Sequence, residues 1–192
     1  MRVDARRKRQ AIIDAATAQF RTIPDAQITL DGIARDAGVG IATLYRHFPT
    51  RSDLRLACAL NLFETLEAIL DEALVTFDEA PEENWEKLIW RLVDYGIGML
   101  VAALADRRPG KAGSVDPIVL AKREQFFADV QVLVDKAAVH GLVDPGVDAL
   151  ELASELIVAT RPQSGLVDEL FPDVKNRLVQ HLLKAWRQPA RD

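Results

Sequence analysis

The chain has 192 residues, 49% of them apolar, and a formal net charge of −5. That length allows one large domain or two small ones around a substantial core, and the single cysteine excludes an intrachain disulfide and fits a reducing compartment. The longest uncharged run near the middle, 95–105, falls short of the ~20 apolar residues a bilayer span needs, and 11–20 is interrupted by Asp14 and Gln19 where a signal peptide would be apolar, so a soluble cytoplasmic protein without membrane contact is expected.

Charge is unevenly spread. Residues 1–55 carry 10 Lys+Arg against 6 Asp+Glu, a net of +4, and the remainder carries 14 against 23, a net of −9. A basic head on an acidic body suggests that only the head meets a polyanion. The spacing predicts a first helix over 5–21, with Ile12, Ala16 and Phe20 on one face at i, i+4 and i+8. Its first turn holds Arg6, Arg7, Lys8 and Arg9. The helix dipole disfavours each such charge by roughly 0.3–1 kcal/mol, a cost an external phosphate would offset; the alternative is a merely solvated basic end. Ile23, Pro24 and Asp25 break the helix.

The stretch 29–48 organises the rest. Thr29 is a good N-cap, and Leu30, Ile33, Ala34 and Ala37 follow as one apolar stripe. Gly38 stands where a helix ends in a left-handed residue, and Val39 reads as a buried plug. A second short helix follows over 40–47, with Leu44 and Phe48 inward and Pro49 ending it. Two short helices joined by a Gly-containing turn form a helix-turn-helix, whose second helix enters the DNA major groove. The outward face of that helix carries Thr43, Arg46 and His47 at i, i+3 and i+4, with Tyr45 beside them. Arg46 can donate a bidentate pair to guanine or bind phosphate. Gly40, Ile41 and Ala42 at the helix start offer backbone N–H groups and methyl contacts. Arg51 and the Arg6–Arg9 cluster are phosphate candidates, and Asp31 near the start of its helix stabilises that N-terminus.

The run Gly38-Val39-Gly40-Ile41-Ala42-Thr43-Leu44-Tyr45-Arg46-His47-Phe48-Pro49-Thr50-Arg51, preceded by Ile33-Ala34-x-x-Ala37, resembles the TetR family of bacterial transcription regulators. The likeness covers about the first 55 residues; beyond them only the helical pattern and chain length agree. It implies an all-α fold of about nine helices, with a DNA-binding domain over 1–50 and a regulatory, ligand-binding and dimerisation domain over 51–192. It also implies that Tyr45 and His47 lie against the phosphate backbone and that Thr43 meets phosphate or a thymine methyl. The small, apolar Gly40, Ile41 and Ala42 depart from members with polar residues there.

A fourth helix is expected from Thr50, where Thr50-x-x-Asp53 resembles a capping box, and it can continue to Phe77 through Leu54, Ala57, Cys58, Leu62, Leu66, Ile69 and Leu70. Cys58 in that run reads as a core thiol. A fifth helix over 82–105 becomes apolar all round from Tyr95 onward. Gly96 and Gly98 inside it would each cost about 1 kcal/mol against Ala, explained by close packing or by a void left for a ligand. The stretch 106–117 is a Gly/Pro-rich connection, and a long helix follows over 118–140, stopped by Gly141. Asp144 and Pro145 read as N-cap and first-turn Pro of a helix ending before Pro162. A last helix spans 172–187, with Val174, Leu178, Leu182 and Trp186 four apart.

The last two helices read as a homodimer seam, with Leu152, Leu156, Ala159, Leu178, Leu182 and Trp186 as its residues; the same faces could instead close the monomer core. The family resemblance adds weight to the seam and implies a small-molecule effector. Its candidate lining is Trp90, Tyr95, Met99, Phe126 and Phe127, which suits an apolar or aromatic ligand, with Arg91 or Asp94 to orient a polar group; each is also an ordinary core residue.

An enzyme is not expected. Gly38-Val39-Gly40 lacks the third glycine and preceding strand of a dinucleotide site, no Gly-x-Ser-x-Gly occurs, and His47, His140 and His181 lie far apart. No cofactor and no metal are expected. The reading is a sequence-specific regulator of double-stranded DNA with a roughly palindromic operator, a repressor released by its effector. The competing readings are an activator, an architectural DNA binder without sequence preference, and a helical ligand binder that has lost DNA binding.

Overall fold

Apolar stripes and helix breakers resolve, in the computed structural model, into ten α-helices among the described residues, which are 2–104, 116–161 and 165–187. Helix α1 (Arg2–Thr22) is followed by a 3-10 turn (Asp25–Gln27), α2 (Leu30–Asp36) and α3 (Ile41–His47). The long α4 (Arg51–Thr76) ends in a second 3-10 turn (Phe77–Glu79). Then come α5 (Pro81–Asp94), α6 (Ile97–Leu104), α7 (Pro117–Val139), α8 (Ala149–Ala159), α9 (Gly165–Leu170) and α10 (Val174–Ala185).

Contacts divide the chain into two compact units, Met1–Glu64 with Met99–Lys122 and Thr65–Gly98 with Arg123–Asp192. In the first, α1, α2 and α3 pack on one another. Ile12, Ala16 and Phe20 of α1, Ile33 and Ala34 of α2, and Leu44 of α3 are buried, as their stripes predicted. Gln19 Nε2 donates to Asp36 Oδ2 at 2.6 Å, tying α1 to α2. Cys58 on α4 is buried, and loss of hydration pushes its thiol up to about 11. In the second unit the core is built from Leu66, Ile69 and Leu70 of α4, Trp85 and Ile89 of α5, Leu133 and Val134 of α7, and Leu152 and Leu156 of α8.

The helix ends show the local chemistry. Thr29 Oγ1 caps α2 by accepting from the Gly32 N–H at 3.0 Å. At its other end Gly38 takes φ 65°, its N–H donates to Arg35 O, and the Val39 N–H donates to Ala34 O, the paired bonds of a Schellman stop. Val39 itself is half-buried rather than a plug. The Thr50–Asp53 capping box forms in both directions: the Thr50 N–H and hydroxyl donate to Asp53 Oδ2 at 2.9 and 2.8 Å, and the Asp53 N–H donates to Thr50 Oγ1 at 3.1 Å.

Three expectations fail for physical reasons, and one open alternative is decided. The helix over 82–105 is broken: Tyr95 caps α5, and Gly96 at φ 77° turns the chain before α6. A residue with that φ terminates a helix at little cost only if it is Gly. Gly98 lies within α6, where an added Cβ would sit 2.4 Å from the Thr160 carbonyl, so close packing and not a ligand void explains it. The N-cap of α8 is Asp148, whose Oδ1 accepts from Leu150 N and Glu151 N, while Asp144 accepts from Gly146 N in a local turn. Finally, α1 begins at Arg2 with Asp4 in its first turn, so the basic cluster lies beyond the reach of the strongest dipole penalty. The expected connection at 106–115 and the stop at Pro162 lie outside the described residues.

Candidate nucleic-acid interface

Helix α3 is held from below by two buried side chains, Leu44 and the capping Phe48, so its remaining residues turn outward. Ala42 and Arg46 are exposed, Tyr45 is 49% exposed, and Ile41, Thr43 and His47 are half-buried. Gly40 is the N-cap, without a side-chain bond of its own. The Arg46 Nη2 donates to Thr43 Oγ1 at 2.9 Å, so two of the expected contact residues form one polar feature. The structure thus brings Thr43, Arg46, Tyr45 and His47 onto one short helix, beside Gly40, Ile41 and Ala42.

The flanking basic residues have separate tasks. Arg6 and Arg7 are exposed on α1. Lys8 pairs with Asp4 at 2.7 Å, and that ammonium holds the Asp4 carboxyl below the usual carboxylate range. The Arg9 guanidinium stacks over the Phe48 ring, 5.1 Å from its centroid, and so clamps α1 to the end of α3. Arg51 Nη1 donates to Ile28 O at 2.8 Å, which ties the start of α4 to the residue before the α2 cap. Thr29 is engaged as that cap. Thr29, counted with the helix-turn-helix contact residues, is the α2 cap that its sequence position predicted, while the phosphate candidates Arg9 and Arg51 also have packing roles that only the tertiary structure shows.

The second unit contains an apolar cavity of about 50 Å³, walled by Leu66 and Leu70 of α4, Trp85 and Leu88 of α5, Phe126 and Leu133 of α7, and Leu152 of α8 among others. Of the five expected lining residues only Phe126 is in this wall; Phe127 stacks edge-on against it at 5.5 Å, and Trp90, Tyr95 and Met99 are half-buried elsewhere. The inward stripe Trp85, Leu88, Ile89 and Leu92 of α5 forms one side of this cavity.

The expected dimer face also divides. Leu152, Leu156 and Trp186 point into the protomer and are buried, whereas Leu178 is 40% exposed and Leu182 and Ala159 are half-buried. Steps of four residues drift by about 40° each on a helix of 3.6 residues per turn. The run therefore passes from the exposed Leu178 through the half-buried Leu182 to the buried Trp186. Trp186 meets Trp85 edge-to-face at 6.3 Å and donates Nε1–H to Glu155 at 2.6 Å. What remains outside is Leu150 and Val158 of α8 and Leu178 of α10, with Leu166, Leu170 and Phe171 of the α9 segment also exposed.

No group of three or more His, Cys, Asp or Glu able to hold a metal occurs among the described residues, and no helix of theirs is long and apolar enough to cross a membrane.

A trihelical unit that turns a short polar helix outward, next to exposed arginines, is a DNA-binding module of the helix-turn-helix class. Residues 12–58 match the family described as bacterial regulatory proteins, tetR family. A Staphylococcus aureus HTH-type transcriptional regulator is 43% identical over 54 residues, 28% of this chain and 29% of that relative. A nucleoid occlusion factor SlmA of Marinobacter nauticus is 26% identical over 147 residues, 72% of this chain and 70% of the relative. The crystal structure of a TetR transcription regulatory protein from Mycobacterium vanbaalenii superposes with a TM-score of 0.63 at 25% identity, covering 97% of this chain and 99% of that one. Residues 12–58 thus carry the tetR-family DNA-binding region, the chain is similar over nearly its whole length to a solved TetR transcription regulatory protein, and it is a DNA-binding transcriptional regulator.

Proposed function

We propose that this regulator is a homodimeric, cytoplasmic repressor that grips a roughly palindromic operator through α3 and lets go when a small apolar molecule enters the second unit. Residues 1–50 would act as the DNA-binding domain and 51–192 as the regulatory one. The observation that carries the DNA reading is the outward Thr43–Arg46 pair on α3, held on a platform locked by Leu44, Phe48 and Arg9. Arg46 reads a base edge, Tyr45 and His47 abut the phosphate backbone, and Arg6 and Arg7 neutralise phosphates. One such head makes few contacts, so two heads on half-sites about one helical turn apart supply the affinity. The outer faces of α8 and α10, with Leu150, Val158 and Leu178 exposed, support the pairing of two copies through those helices.

The effector reading rests on the apolar cavity. Ligand pockets for drug-sized molecules measure about 300–1,000 Å³, so a cavity of about 50 Å³ is nearly closed. The effector must therefore widen it, and it shifts the equilibrium only by binding the widened form better. Leu66, Ile69 and Leu70 of its wall belong to α4, the helix whose first residue, Arg51, follows α3 by one short turn.

Selection of genomic DNA with the purified full chain tests the proposal. The expected result is an enriched inverted repeat, bound with a steep salt dependence as phosphate neutralisation releases counterions. Arg46→Ala should weaken binding to the selected site by about 1–3 kcal/mol. Uniform recovery of all sequences would refute sequence-specific regulation in favour of architectural binding.

A further inference from the structure

An arginine on the surface of a seven-residue helix ordinarily samples many rotamers, and each must be frozen when it meets a base. Arg46 has a partner on its own helix. Its Nη2 donates to the Thr43 hydroxyl oxygen at 2.9 Å, one turn earlier on the same helix. Thr43 is itself a stiff acceptor. It is β-branched, so few χ1 rotamers are open to it, and it is half-buried. A guanidinium has five N–H donors in one plane, so a bond from one of them fixes the plane and leaves enough donors for a two-pronged contact to guanine O6 and N7.

We propose that Thr43 is a positioning residue for sequence readout: it holds the Arg46 guanidinium in its reading orientation and contributes to specificity without touching a base or a phosphate. The proposal rests on α3 being the base-reading helix. It differs from a direct phosphate contact by Thr43 in one measurable respect. A phosphate contact strengthens binding to every sequence alike and adds to the salt dependence, whereas a positioning bond acts only where Arg46 reads a base.

The test is a double-substitution cycle on the full-length protein. Gel-shift or anisotropy titrations compare the wild type, Thr43→Val, Thr43→Ser, Arg46→Ala and the Thr43→Val/Arg46→Ala pair. The probes are the duplex enriched from genomic DNA by the wild type and a scrambled duplex of equal length, over a salt series. Valine keeps the shape of threonine and removes the hydroxyl; serine restores it. Thr43→Val is expected to weaken binding to the selected duplex by about two- to tenfold, with the scrambled duplex and the salt slope unchanged. Thr43→Ser should recover most of the loss, and Thr43→Val should cost nothing further once Arg46 is alanine. Equal weakening on both duplexes with a shallower salt slope, the same loss with or without Arg46, or no loss at all would each overturn the proposal. If the wild type enriches no sequence, the base-reading role of α3 fails first. An enriched sequence with additive Thr43 and Arg46 effects leaves that role standing and removes only the positioning bond. Thr43→Ala provides a second hydroxyl deletion, should the valine variant melt early.

Discussion

Replacing Trp186 by alanine tests whether the end of α10 belongs to the protomer core or to a seam between copies. The indole is 3% exposed, lies edge-on to Trp85 with centroids 6.3 Å apart, and donates to Glu155 at 2.6 Å. Truncating a buried Trp to Ala costs about 3–5 kcal/mol. The aromatic pair accounts for about 0.5–1.5 kcal/mol of that beyond its buried area. The hydrogen bond contributes less, about 1 kcal/mol, because the exposed Glu155 keeps access to water once the indole is gone. Trp186→Ala should thus remove about 3–5 kcal/mol, and Trp186→Phe, which keeps a ring and loses the N–H, about 1–2 kcal/mol. Against a typical total of about 5–15 kcal/mol the first loss is severe. Urea unfolding at several protomer concentrations separates the two roles, since a dimer's apparent stability depends on concentration. A core residue lowers the midpoint at every concentration and leaves dimer dissociation unchanged; Leu178→Ala, on the outer face, should do the reverse. A Trp186→Ala protein within about 1 kcal/mol of the wild type, or one altered only in dimer affinity, would refute the core assignment.

Three further outcomes follow from the packing. Gly98→Ala must force α6 away from the Thr160 backbone, since the new Cβ would stand 2.4 Å from it; a loss of about 1–3 kcal/mol in thermal or urea unfolding is expected, and an unchanged midpoint would show that the helices do not approach so closely. Cys58, whose thiol is buried and pushed up to about 11, should resist alkylation at mildly alkaline pH until the chain is unfolded; rapid labelling of native protein would contradict its burial. The Lys136 ammonium, 2.6 Å from Asp78 Oδ2, holds that carboxyl below the usual carboxylate range. A depressed folded-state pKa contributes stability that is present above the unfolded value and is lost as pH falls through the folded one. Lys136→Met should therefore return the Asp78 titration, followed by NMR, to the ordinary range and flatten the acid limb of stability. The effect is small because the pair is exposed, and an unmoved Asp78 titration would exclude the bond.

Local chemistry was legible in the sequence by itself wherever a signal was short-range. The Thr29 cap, the Gly38 stop, the Thr50–Asp53 box and the buried stripe of α1 all depend on residues within a few positions of one another, so type and spacing sufficed. The TetR-like run was legible for the same reason, because the recognition helix is a contiguous segment. Apolar stripes alone specified less. They separate inside from outside only when each helix has one partner, and α8 and α10 have apolar residues on more than one face. Only the tertiary structure decided which face was which: Trp85 takes up Trp186, so the protomer core claims the inner face of α10 and leaves Leu178 outside. It also decided that Gly96 breaks a helix while Gly98 admits a neighbouring backbone, and that Arg9 lies on Phe48. Each of these depends on atoms brought close by packing between elements far apart in the chain, and no spacing along the sequence encodes that distance.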